Sequence, residues 1–366
     1  MNLRNLLKLL ALLFMATVSL TACDDEEDDS NDPTDETTGD FKKKSGIYIL
    51  NQGVYGSNNA SISFLDYSSN TMYNNVFEAA NERKLGDTGQ DGIVYGSKMY
   101  IVVNGSNTIE IVDSKTCKSI KSLQSTIATS PRDVIAYNGK IYISMYDGQV
   151  ARLDTTTLEY DKFVKVGPNP EEMAVANDFL YVVNSDGLNY NNGYTDGKSV
   201  SKINLATFTE VKKISVAVNP TKISADSKGN VIVLSMGNYA DVPATLQKIT
   251  SDDNVVKYNI AATLMTVNDT VLYTINAPWG VTKLDCIAIS TISGQVINPD
   301  FLKGDDIPAN PIKIEIDPTN GDILIGAYYS ASDFTSNGYF YVFDKTGNFK
   351  KKYNVGVGAS GFAYLH

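Results

Sequence analysis

All-β, with seven four-stranded blades closed into a β-propeller ring, is the fold class this sequence predicts, and three observations predict it. One strand–turn–strand unit recurs along the chain. The composition is rich in Val, Ile, Tyr, Thr and Asn with 27 Gly, which suits strands and tight turns better than helices. The repeats begin on the second strand of a unit and finish on a first strand. At 366 residues the chain exceeds the usual single core, so it needs either several domains or one closed array, and the repeat selects the array.

Residues 131–157, PRDVIAYNGKIYISMYDGQVARLDTTT, show the unit most plainly. Three short apolar strands are joined by two turns. Asn138-Gly139 matches a type I′ hairpin turn, whose two central residues both need positive φ, and Asp147-Gly148 is expected to repeat the device. A fourth strand follows near Leu158 to Val166, and then Pro170 opens the next unit. Second strands align at Ile47, Met99, Ile141, Leu180, Val231, Val271 and Ile323, roughly 40 to 52 residues apart, the spacing of propeller blades. These are nearly continuous apolar runs, as required when both faces of a sheet are covered. Third strands end near Asp66, Asp113, Asp154, Asn204, Thr250, Ser290 and Asp344. Fourth strands carry lysines, as in KSIKSL, EVKKISV and NFKKKYNV, where an outer edge must resist pairing with another chain. Residues 46–51 lack a preceding first strand and residues 361–365 lack a following second one, so the two are expected to complete one blade.

The formal charge of −11 is concentrated at one end. Ten acids lie between Asp24 and Asp40 with no base among them; setting these aside, with Arg4 and Lys8, leaves 32 acids against 29 bases, a net charge of about −3 for residues 41–366. Without a basic stripe, binding of nucleic acid by phosphate neutralisation is not expected.

Residues 1–22 have the order of a secretory leader: Arg4 and Lys8, an apolar run from Leu9 to Leu20, then Leu20-Thr21-Ala22-Cys23. That tetrad resembles the lipobox of bacterial lipoproteins, which implies cleavage before Cys23 and lipidation of its thiol. Residues 23–45 then form a lipidated Cys and an acidic flexible tether, because like charges repel and little apolar surface is available to bury. Residues 46–366 form the propeller. Cys117 and Cys286 fall in blades two and six, which are not neighbours, so they are expected to be inert thiols without a mutual disulfide.

Long loops between second and third strands gather on one face, and a rigid scaffold carries function on such loops. They hold Tyr55, Tyr190, Tyr194, Tyr239, Trp279, Tyr328, Tyr329 and Phe334, with Tyr146 and Asn104 in two minimal loops. Aromatics among Asn, Ser and Gly provide rigid apolar contact beside adaptable hydrogen bonding, so Tyr55, Asn104, Tyr146, Tyr190, Tyr194, Tyr239, Trp279, Tyr328 and Phe334 are candidate ligand contacts. Pro131, Pro170, Pro220 and Pro311 set the approach of first strands; Arg132 and Lys222 beyond two of them are expected to face the central mouth as contacts of second rank, and Arg132 joins the nine as a tenth candidate ligand contact. His366 is the single histidine and is terminal, so no His-based triad or metal site can be assembled. Asp305-Asp306 reads as a solvated turn. Asp186 to Gly197 lacks the spacing of an EF-hand loop. No catalytic cofactor and no enzymatic activity are expected.

The opening ILNQGVYGSNNASISFLD, with VFEAANERKLGDTGQ and YIVVNGSNTIEIVD after it, resembles the YncE-like propeller surface lipoproteins of Bacteroidetes, in particular the branch containing the cobalamin-binding BtuG. The acidic run after Cys23 likewise resembles the surface-export signal of such lipoproteins. The resemblance implies an outer-membrane, lipid-anchored protein facing the cell exterior, which captures vitamin B12 or a related corrinoid as bound ligand and passes it to a TonB-dependent outer-membrane transporter. A glycan-binding or protein-interaction scaffold is the alternative, since sugars also stack on exposed Tyr and Trp. A lactonase-type hydrolase ranks last, because it needs convergent carboxylates or metal ligands near the axis.

Overall fold

The computed structural model describes residues 45–278, 283–304 and 306–366. Their strands form seven antiparallel sheets of four. Blade one is β28 (Ala359–Leu365), β1 (Gly46–Asn51), β2 (Ser61–Asp66) and β3 (Thr71–Tyr73); blade two runs from β4 (Gly89–Tyr95) through β5 (Lys98–Val103) and β6 (Thr108–Asp113) to β7 (Ser119–Leu123). Blade three holds β8 (Pro131–Tyr137), β9 (Lys140–Met145), β10 (Gln149–Asp154) and β11 (Glu159–Lys165), and blade four β12 (Pro170–Ala176), β13 (Phe179–Asn184), β14 (Ser199–Asn204) and β15 (Thr209–Ser215). Blade five comprises β16 (Pro220–Ala225), β17 (Val231–Ser235), β18 (Thr245–Ile249) and β19 (Val255–Lys257). Blade six comprises β20 (Leu264–Asn268), β21 (Val271–Asn276), β22 (Asp285–Ser290) and β23 (Val296–Asn298). Blade seven is β24 (Pro311–Ile316), β25 (Ile323–Ala327), β26 (Tyr339–Phe343) and β27 (Phe349–Asn354).

The two ends of the ring meet in blade one, where β28 pairs antiparallel with β1 from Gly46 opposite Leu365 to Asn51 opposite Ala359. This closure satisfies two strand edges that would otherwise face water. Between adjacent blades lie separate apolar clusters, one at each of the seven interfaces among the described residues. Second strands serve the clusters on both of their sides, which is why β1 is buried at all six positions and reads as a continuous apolar run. Outer strands behave oppositely: Lys350, Lys351 and Lys352 of β27 are exposed, keeping that edge from pairing further.

The turns follow from side-chain chemistry. Asp113, Asp154, Asn204 and Asp344 each end or follow a third strand and accept backbone N–H groups from the next turn, as Asp154 does from Thr156 and Thr157 at 2.8 Å. Asn138 and Gly139 both have positive φ, 47° and 75°, as a type I′ turn requires. Asp147-Gly148 does not repeat that turn. There only Gly148 has positive φ, at 96°, in a three-residue loop from Tyr146 whose Gly148 N–H bonds Met145, so one left-handed position suffices. Two helical turns were not expected from sequence: α1 (Val76–Asn81), which buries Val76 and Phe77 between blades one and two, and a 3-10 helix over Gly187–Asn192. Cys117 and Cys286 are buried free thiols; burial pushes Cys286 up to about 12 and Cys117 higher still.

Candidate functional site at the axial mouth

First strands line the axis, and most carry the same irregularity. On β8, Pro131 lies opposite Met145 and Asp133 opposite Ser144, which leaves Arg132 without a partner; β4, β16 and β24 skip at Gln90, Thr221 and Ile312, and β12 skips both Glu171 and Glu172. Such a bulge sets two residues against one and re-aims side chains. Proline is tolerated immediately before it because the inner edge of each blade needs no ladder donor there. The outcome is two tiers of residues around the axis. Gln90, Arg132, Glu171, Thr221, Ile312 and Ser360 form the upper tier, and Asp91, Asp133, Glu172, Lys222 and Lys313 the lower one. Blade six breaks the pattern: β20 pairs with β21 without a skip, and only Thr263, just before it, reaches the cavity.

The lower-tier acids join the blades. Asp91 accepts the Val134 N–H at 3.2 Å, Asp133 that of Met173 at 2.8 Å, and Glu172 that of Ile223 at 3.3 Å, each on the next blade's first strand. The cations are paired as well. Arg132 makes a two-pronged contact to Glu171 Oε2 at 2.7 and 2.9 Å, donates to Gln90 at 3.2 Å and stacks over Tyr146 at 4.7 Å. Lys222 contacts Glu172 at 2.7 Å and Lys313 contacts Glu315 at 3.0 Å. Glu315 also accepts the Tyr364 hydroxyl at 2.9 Å.

Asp91 and Asp133, on adjacent blades, line the same stretch of the axis wall. Burial, then the charges of Asp91 and Glu172, pushes Asp133 well above the usual carboxylate range. Burial raises Asp91 too, against the opposing pull of Lys313. For Glu172 burial acts upward, but Lys222 and Lys313 outweigh it and the group is held low. Above these tiers opens a cavity of about 430 Å³. A second, of about 590 Å³, continues toward the opposite face, and the five lower-tier residues wall both.

Five of the ten ligand contacts expected from sequence reach the upper cavity: Arg132, Tyr146, Tyr194, Tyr239 and Tyr328. Tyr194 and Tyr239 meet edge to face at 6.1 Å, and Tyr328 donates to Gln52 at 3.2 Å. Gly187 is required beside Tyr146, since a Cβ there would lie 2.1 Å from the tyrosine oxygen. Burial, then Glu171, pushes that hydroxyl up to about 12. Four of the others do not line it. Tyr55 and Tyr190 are 82% and 62% exposed and do not line the cavity, because their loops carry the rings outward. Phe334 stands behind Tyr328 at 5.1 Å, supporting the ring that does line it. Asn104 turns its amide to the Pro131 carbonyl at 2.9 Å, tying blade two to blade three. Trp279 lies outside the described residues, as do Cys23, the leader, Asp305 and nearly all of the tether.

The wall of the cavity carries seven charged residues, which the aromatic content of the loops did not suggest. Gln90, Asp91, Asp133, Glu171, Glu172 and Lys313 were missed, and four of them had a signal: Asp91, Asp133, Glu172 and Lys313 are the charged third residues of apolar strands GQDGIVY, PRDVIAY, PEEMAVA and PIKIEI, as Lys222 is of PTKISA. Among the described residues no group of three or more His, Cys, Asp or Glu is arranged to hold a metal ion.

Comparison with known proteins adds the family. Residues 45–359 match the model of a domain of unknown function, DUF5074, and the chain belongs to that family. No curated protein matches it. Among solved structures, it is similar to hydrazine synthase of Kuenenia stuttgartiensis, with 12% identity over 75% of this chain and 88% of that one and a TM-score of 0.58. It is also similar to a functionally unknown protein from Desulfotomaculum acetoxidans, with 14% identity over 88% and 99% and a TM-score of 0.61. The computationally designed Ika8 protein matches with 12% identity over 87% and 91% and a TM-score of 0.55. At such identities the likeness is one of fold.

Proposed function

We propose that this DUF5074 propeller is a non-enzymatic capture protein of the outer membrane, anchored through a lipid on Cys23, which binds vitamin B12 or a related corrinoid on its loop face and passes it to a TonB-dependent transporter. The observation that carries the reading is the mouth itself, where Tyr146, Tyr194, Tyr239 and Tyr328 stand around hydrogen-bonding groups such as Gln52, Gln90 and Asn219. A flat macrocycle edged with amides needs ring faces beneath it and donors and acceptors around it. The cavity of about 430 Å³ lies within the size range of small-molecule sites, about 300–1,000 Å³. A corrinoid is larger, so it would span the mouth and rest on the rim. The leader, the acidic tether and the YncE-like resemblance support a surface location and this ligand class.

A glycan is the second reading, supported by the Arg132–Glu171–Gln90 array, whose paired donors and acceptors match sugar hydroxyls beside a tyrosine ring. Titration of cyanocobalamin and of a glycan panel against the full-length protein separates the two. Corrinoid binding is expected, with Tyr194→Ala and Tyr239→Ala each lowering affinity by about thirtyfold, the size of a central aromatic contact, and Tyr55→Ala leaving it unchanged. Glycan binding without corrinoid binding would replace the first reading by the second.

A further inference from the structure

The chemistry of the mouth is divided between its two sides. In the upper tier, blades two, three and four supply Gln90, Arg132 and Glu171, while the described residues of blades five, six, seven and one supply Thr221, Thr263, Ile312 and Ser360. Loops add Met236, Tyr239 and Tyr328 to that uncharged side. The lysines beneath it, Lys222 and Lys313, are held in ion pairs with Glu172 and Glu315 at 2.7 and 3.0 Å.

The charged side keeps bonding capacity in reserve. A guanidinium has five N–H groups. Arg132 spends three of them: Nε and Nη2 donate to Glu171 Oε2, and Nη1 donates to Gln90 Oε1, which leaves two. Glu171 is used unevenly as well. Its Oε2 takes both prongs at 2.7 and 2.9 Å, whereas Oε1 accepts the Ser185 hydroxyl at 3.4 Å, long enough to yield to a better donor. Tyr146 holds the guanidinium plane from one face at 4.7 Å. The cavity wall therefore carries a positioned donor beside a positioned acceptor, in a pair whose net charge is zero.

We propose that Arg132 and Glu171 recognise a primary carboxamide on an amphiphilic ligand: its carbonyl accepts from Arg132, its NH2 donates to Glu171 Oε1, and its apolar body rests against Met236, Ile312, Tyr239 and Tyr328. This rests on the reading that the mouth captures a small molecule, and it names the ligand group that the mouth reads. A carboxylate would be drawn to Arg132 but would stand beside Glu171, and an ammonium would meet the reverse. A sugar could satisfy the pair with two hydroxyls. Its other hydroxyls, facing Met236 and Ile312, would lose water without gaining a partner.

The test is titration of the full-length protein with cyanocobalamin, with its monocarboxylic acids, in each of which one peripheral amide is hydrolysed, and with the methyl esters of those acids. One regioisomeric acid is expected to bind about ten- to hundredfold more weakly than cyanocobalamin, and its ester, which accepts but cannot donate, about tenfold more weakly. Glu171→Gln removes the negative charge and supplies an N–H donor. It is expected to tighten that same acid by about tenfold over wild type, a gain that misfolding cannot produce. Equal affinity for all acids and esters, or no gain for the acid in a Glu171→Gln protein that still binds cyanocobalamin, overturns the proposal and leaves corrinoid capture standing. The wild-type series decides even if the variant does not fold. Absence of cyanocobalamin binding overturns the corrinoid reading instead, and hexanamide, hexanol, hexanoate and hexylammonium then test the amide site directly. Hexanamide binding about tenfold more tightly than the other three supports it. Equal binding of the four, or binding of methyl glucoside without hexanamide, overturns it.

Discussion

The clefts between blades and the axis are both built by the same repeat, yet they use it in opposite ways. Between blades, the residues are interchangeable in kind: Tyr100 and Ile143 fill one interface, Tyr181 and Val233 another, Phe340 and Phe362 a third. At the axis, equivalent positions on six of the seven blades carry Asp91, Asp133, Glu172, Lys222, Lys313 and Gly361. An apolar interface asks only for volume and hydrophobicity, which many residues supply. A charged axis asks each blade for a partner to its neighbour, so the blades must differ. The fold thus rests on what the repeats share, and the candidate site on what they do not.

This contrast can be broken at several points. Phe340→Ala empties a site that packs on Tyr353 and on Phe362 of the closing strand, with ring centroids 6.4 and 5.2 Å away. It should cost about 3–5 kcal/mol in denaturant unfolding with ligand contacts untouched. At the axis, Arg132→Met leaves Glu171 unpaired beside Tyr146. With side chains 23% and 13% exposed, the pair lies between the extremes, so the loss should fall between the roughly 1 kcal/mol of an exposed pair and the 3–5 kcal/mol of a fully buried one. Restoration by the second change Glu171→Gln would show that the unpaired charge is the cause.

Gly187→Ala sharpens the comparison at the rim. The new methyl forces Tyr146 aside at a cost of about 1–3 kcal/mol, and the tyrosine's absorbance titration should move down from about 12 as the ring leaves its buried position. The smallest effect belongs to Tyr55→Ser. With its ring 82% exposed, stability should stay within about 0.5 kcal/mol of wild type in the same denaturant assay.

Much of the architecture was legible because it is periodic. Ile47, Met99 and Ile141 mark successive second strands, Pro131 and Pro170 open first strands where expected, and the missing strands at the two ends point to the β28–β1 pairing. The loops were legible only in part. Tyr194 and Tyr239 reach the cavity while Tyr190, four residues before Tyr194, points away, since a single 3-10 turn reverses the direction of a side chain. Asp147-Gly148 showed the same limit, as its turn type depends on a loop length that the dipeptide does not specify.

The sequence alone determined the all-β repeat, its count of seven and the segments that close the ring, because strand periodicity and turn chemistry act over a few residues. Only the tertiary structure decided that Asp91 and Asp133, 42 positions apart, line one cavity, and that Arg132 stacks on Tyr146 while bridging to Glu171. Those relations arise where bulged strands of different blades converge on one axis. Their strength comes from burial there, a property of the assembled ring and of no single segment.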